Sequence, residues 1–94
     1  MIRVLVLYEQ EPQPDRYHEH AALCEKVPGG TFRHGPIFAA PMGHEPAFRY
    51  YAEWEFADRD AFDAAVRSDE FMATGRDARD MGLPVKVMFA ELRG

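Results

Sequence analysis

The chain has 94 residues, 47% hydrophobic and 13% aromatic, with a formal net charge of −5 and a pI near 5.3. The acidic balance and scattered Lys and Arg residues argue against a nucleic-acid partner. A single cysteine, Cys24, excludes an internal disulfide or a multi-cysteine zinc site, and reads as a small buried hydrophobe.

The length fits one domain spanning 1–94. A chain this short buries only about 60–65% of its unfolded surface, so the abundant apolar residues suggest burial against a second copy. The opening apolar run from Ile2 to Tyr8 is too short for a membrane span, and no small-residue cleavage site follows it. The expectation is a cytoplasmic protein without a membrane partner.

In chain order, "IRVLVLY" (2–8) is apolar on both alternating faces, which predicts a strand in the middle of a covered sheet. "EQEPQP" (9–14) is a proline-broken loop. From Asp15 to Val27, apolar residues at 17, 21, 24 and 27 predict a helix, with Pro14 and Asp15 in its first turn and "PGG" (28–30) ending it. "TFRHGPIFAA" (31–40) reads as a strand that Pro36 confines to an edge or a bulge. After a turn at 41–46, "AFRYYAEWEF" (47–56) puts Phe48, Tyr50, Ala52, Trp54 and Phe56 on one face. Arg49, Tyr51, Glu53 and Glu55 fall on the other, which suits ion pairs. Asp58 caps a helix with Ala61, Phe62, Ala65 and Val66 on one stripe. Ser68 looks like a second cap, so this helix is kinked or split before it ends near Met81. "GRDARD" (75–80) reads as a solvated charge run. "LPVKVMFAEL" (83–92) closes the chain as a strand.

The order β-α-β-β-α-β is the ferredoxin-like pattern, an α+β fold of one four-stranded antiparallel sheet with both helices on one face. The first and last strands are apolar on both sides, so the uncovered face calls for a partner. A twofold homodimer packing sheet on sheet supplies one.

Four stretches, "MIRVLVLYEQEP", "DRYHEHAALCEKVPG", "YYAEWEFADRDAFDAAVRSDE" and "PVKVMFAEL", resemble the EthD-like family of dimeric α-β barrel proteins in order and spacing. The specific pieces are His20 followed by Pro28-Gly29, and Phe56, Asp58, Ala61 and Ala64. The resemblance implies a homodimer whose sheets close into a shared barrel, with small-molecule pockets between sheet and helices. It implies work in degradation or tailoring of small organic molecules, as in related monooxygenases, lactone isomerases and haem-binding members, with some members labelled reductases. Where the family helix carries a hydrophobic residue and a proline after its histidine, this chain has Ala21 and Ala22. That departure suggests a wider pocket wall or a straighter helix.

His20 is the first site candidate. Tyr17, His20, Ala21, Cys24 and Val27 share the apolar helix face, so the imidazole points at the sheet, where it can serve as a general acid or base or as a hydrogen-bonded core histidine. His18 lies about 200° away around the helix and faces solvent, which spoils "HEH" as a metal pair. Tyr8, Tyr17, Tyr50 and Trp54, joined by His34, are candidate substrate-binding residues of an aromatic pocket. Phe48 and Phe56 read as core. A metal site of His20, His34 and Glu53 is conceivable, but no spacing demands it.

The function expected is a small enzyme acting on an aromatic or polyketide-like molecule without a cofactor, as a monooxygenase, isomerase or dehydratase, with His20 as general acid/base. The alternatives are a non-catalytic carrier of a hydrophobic metabolite, or a haem protein with His20 as axial ligand.

Overall fold

The computed structural model describes residues 1–94. Four strands, β1 (Ile2–Tyr8), β2 (Thr31–Pro36), β3 (Tyr50–Phe56) and β4 (Val85–Glu91), form one antiparallel sheet in the order β2-β3-β1-β4. Helices α1 (Pro14–Cys24), α2 (Arg59–Val66) and α3 (Asp69–Met81) cover one face. The register pairs Tyr8 with Tyr50 and Val85, and Val4 with Trp54 and Phe89. No helix is long and apolar enough to cross a membrane.

The alternation expected of the strands sets the layers. Ile2, Val4, Val6 and Tyr8 of β1 pack under the helices with Ala52, Trp54 and Phe56 of β3. Burial of side chains of this size stabilises by roughly 1.5–3 kcal/mol each. Arg3, Leu5 and Leu7 point to the open face, together with Tyr51, Glu53 and Glu55. β2 is an edge strand, as Pro36 requires, and it ends at that residue.

The ends of α1, β2 and β3 differ from those expected of the sequence. The α1 cap is Gln13, whose side chain accepts from the Arg16 N–H, and the helix ends at Cys24 rather than Val27. Beyond Cys24 the chain tightens, with Lys26 and Val27 amides donating to the Leu23 and Cys24 carbonyls, and Val27 stays buried. β2 stops short of 40 and β3 begins at Tyr50, because 37–49 forms a loop with a 3-10 turn at Pro41–Gly43. Phe48 therefore sits outside the ladder, half-buried and apart from the core that Phe56 joins. As expected from Asp58 and Ser68, the second helical stretch is split, with Asp58 accepting from the Ala61 N–H and Ser68 from the Phe71 N–H.

The Pro-Gly-Gly break positions α1 over the sheet. Gly29 adopts φ +80°, and a side chain at Gly30 would collide with the Phe56 ring. The Trp54 indole N–H donates to the Cys24 carbonyl at 2.9 Å, which ties the end of α1 to β3. α1 runs unbroken through Ala21 and Ala22.

Candidate functional site

His20 is 4% exposed and faces the sheet from α1, on the side shared with Tyr17, Ala21 and Cys24. Its Nδ1 lies 2.8 Å from Oδ2 of Asp77 on α3. Asp77 is gripped by both terminal nitrogens of Arg16, at 3.0 and 2.8 Å. The Arg16 hydrogen bonds hold the Asp77 carboxyl below its ordinary value of 3.8, outweighing the opposite effect of burial, so it is ionised at neutral pH. An ionised carboxylate only accepts, so the proton of a neutral His20 belongs on Nδ1. That leaves Nε2, which makes no hydrogen bond within the chain, as a lone-pair acceptor.

His20 borders a cleft of about 190 Å³. Val6, Tyr8, Trp54, Val85, Val87 and Phe89 form its floor, and Phe71, Thr74 and Ala78 of α3 its far wall. The Thr74 hydroxyl is committed to the Phe71 carbonyl at 2.6 Å. Burial pushes the Tyr8 hydroxyl up to about 12, so it remains a donor at neutral pH. The cleft opens along β4, where Val87 and Phe89 are 51% and 60% exposed.

The six candidate residues do not share one pocket. His20, Tyr8 and Trp54 line the cleft just described. Tyr17, His34 and Tyr50 line a second, more polar one of about 200 Å³ at the start of α1, with Glu11 and His18 at its edge. There the His34 Nδ1 and the Tyr50 hydroxyl are 2.7 Å apart. His18 is exposed, as its helix position predicts.

Glu53 lies on the opposite face of the sheet from His20 and His34, so these three residues form no metal site. No group of three or more His, Cys, Asp or Glu residues is placed to hold a metal ion. At about 190 Å³, the His20 cleft of one chain is small for a haem macrocycle.

On the open face, Arg3 donates to Glu55 at 2.8 Å, Arg33 to Glu53 and Glu55 at 2.8 and 2.6 Å, and Tyr51 to Glu53 at 2.7 Å. These are the cross-strand ion pairs that the alternation of β3 suggests. Burial alone would raise the Glu53 carboxyl, but the Tyr51 and Arg33 hydrogen bonds outweigh it and hold it low. Cys24 is 1% exposed and burial pushes its thiol up to about 12, which makes it an inert core group.

Asp77 and Arg16 are the residues that the sequence reading missed, because "GRDARD" looked solvated. The available signal was Arg16 and His20 at i,i+4 on α1, a pair of positions able to grip one group from a neighbouring helix.

A four-stranded antiparallel sheet in this order, helices on one face and a histidine beneath the first of them, defines a ferredoxin-like protein. An ethyl tert-butyl ether D (EthD) family protein from Bacillus halodurans has the same fold with a TM-score of 0.80, at 31% identity and with 99% of each chain covered. The chain belongs to the EthD-like family. A dimeric ferredoxin-like protein of unknown function from a Jannaschia species aligns at 25% identity and TM-score 0.74, covering 97% of this chain and 98% of its own. SnoaB, a cofactor-independent oxygenase from Streptomyces nogalater, shares the fold at 17% identity and TM-score 0.61, covering 99% and 93%. No family profile and no curated protein sequence matches the chain.

Proposed function

We propose that the protein is a homodimeric enzyme that moves a proton on a small aromatic or polyketide-like molecule, with His20 as general acid/base. The observation that carries this reading is the Asp77–His20 hydrogen bond, which holds by Nδ1 an imidazole that lines an apolar cleft and leaves Nε2 unbonded within the chain. Nε2 takes a proton from an acidic C–H or O–H of the substrate, and Asp77 stabilises the imidazolium that forms. Tyr8 donates a hydrogen bond to a developing oxyanion, and Trp54 packs against the ring system. Such a step opens a cofactor-free oxygenation, an isomerisation or a dehydration alike. The cofactor-independent oxygenase of the same fold makes the first of these consistent with the architecture.

The homodimer reading is supported by the open sheet face, which carries Leu5, Leu7 and a 47% exposed Met88 around the charged network. It is also supported by the dimeric state of the Jannaschia protein. Such a dimer buries the face that the helices leave bare.

The test is turnover of phenolic or β-dicarbonyl substrates by His20→Gln and His20→Ala proteins whose melting and oligomeric state match the native chain. Activity is lost if His20 carries the chemistry, and its survival refutes the mechanism. A second reading, a carrier of a hydrophobic metabolite, draws on the scarcity of polar groups in the cleft, where Thr74 is already satisfied. It predicts saturable binding that His20→Gln leaves intact, with no turnover.

A further inference from the structure

We infer that the Tyr17 ring is the wall that sets how long a ligand the His20 cleft accepts, by separating that cleft from the polar cleft beside His34 and Tyr50. The inference rests on the reading of the His20 cleft as the ligand site.

Tyr17 stands between the residues of the two clefts. Its ring centroid is 5.7 Å from that of Tyr8 and 5.4 Å from that of His20, both of which line the apolar cleft. On its other side it is 5.1 Å from His34 and 4.9 Å from Tyr50, which line the polar one. The ring is 3% exposed, so it fills the space between four aromatic groups rather than hanging free at a rim. Each cleft alone, near 200 Å³, suits a molecule of one or two rings. Joined, they would form a channel with His20 over its apolar half and the His34–Tyr50 pair at its polar end. A molecule with a ring system at one end and hydroxyls at the other matches that channel and is excluded while Tyr17 is present.

The position is open to a clean test. The Tyr17 hydroxyl is buried with the Tyr8 hydroxyl as its neighbour, so Tyr17→Phe keeps the wall and gives up only that one contact. Tyr17→Leu shortens the side chain while keeping an apolar body, and Tyr17→Ala removes the wall at a greater cost in stability. Trp54 is the only tryptophan and lines the cleft, so its fluorescence reports occupancy without any need for turnover.

Two-ring 2-naphthol and three-ring 2-anthrol are titrated against each variant, with folding checked by thermal melting. The expected result is that the preference for 2-anthrol over 2-naphthol rises about tenfold or more in Tyr17→Leu, and further in Tyr17→Ala if that protein folds. In Tyr17→Phe it should stay at the native value. An unchanged preference in folded Tyr17→Leu, or an equal rise in Tyr17→Phe, overturns the partition while leaving the ligand site standing. Failure of both compounds to quench Trp54 in every folded variant overturns the ligand-site reading and the partition with it.

Discussion

On the helix-covered face of the sheet the polar groups form one line, from Arg16 through Asp77 to His20. On the open face two arginines and two glutamates interlock with Tyr51. The line ends in an imidazole that lines an apolar cleft with its Nε2 unbonded within the chain, whereas the network turns its groups on one another. A nearly closed set of charges holds a surface in register and has little left to offer a ligand. An oriented imidazole with one free nitrogen has a proton to take or give. On the proposed function, chemistry falls to one face and cohesion to the other.

The largest effect should come from the end of the line. His20→Gln is expected to lower turnover by about 10²- to 10⁴-fold with little change in melting temperature. An equally large loss of activity from an open-face substitution in a folded protein would break the contrast between the faces. One step back along the line, Asp77→Asn keeps the shape but replaces the acceptor, and it takes from Arg16 the nearer of its carboxylate partners. Turnover should fall by roughly tenfold or more, less than for loss of His20 itself, because the imidazole remains but its orientation and its charged state lose support.

The same substitution gives a pH signature. Asp77 is held below 3.8 in the folded chain, chiefly by Arg16, so its contribution to stability is fully present above that ordinary value. It is lost as pH falls through the lower, folded value. The melting-temperature gap between native and Asp77→Asn proteins should therefore be present from pH 7 to about pH 5 and close in more acid solution. A gap that persists undiminished at the acid end would show that the carboxylate stabilises the fold by packing rather than by charge.

On the open face the expected effects are on stability. Glu53→Gln removes the charge shared by Arg3, Arg33 and Tyr51, and should cost about 1–3 kcal/mol in denaturant unfolding while turnover per folded protein stays within about twofold. A drop in activity as large as that of Asp77→Asn would mean that the two faces are coupled through β3. The smallest effect belongs to Cys24. Buried, and with its thiol pushed up to about 12, it should resist alkylation at pH 8 in the native protein and react only on unfolding. Rapid labelling of the native chain would show that α1, which carries His20, opens readily from the sheet.

Much of this arrangement was legible in the residues. The two-sided apolar run at Ile2–Tyr8 marked the central strand, Pro36 marked an edge, and Asp58 and Ser68 marked two helix starts. The 17/20/21/24 spacing placed His20 inward and His18 outward, which removed "HEH" as a metal pair. Strand ends were less legible. Apolar alternation runs from 47 to 56, yet pairing in the ladder begins at Tyr50, since an apolar side chain such as Phe48 fits a loop as well as a strand. Asp77 was not legible from its own segment. Its segment has the composition of a solvated helix, and only the packing of α3 against α1 makes one carboxylate of that run a partner for His20.

By itself the sequence determined the period of each segment, and with it the element order and the side of α1 from which His20 emerges. Period is a local property, set by backbone geometry over a few residues. The tertiary structure decided which acid meets His20, 57 residues away along the chain, and that Tyr17 stands between two clefts. Those outcomes depend on how closely separate elements pack. Ångström-scale distances between helices and strands are not encoded in the spacing of residues along any one of them.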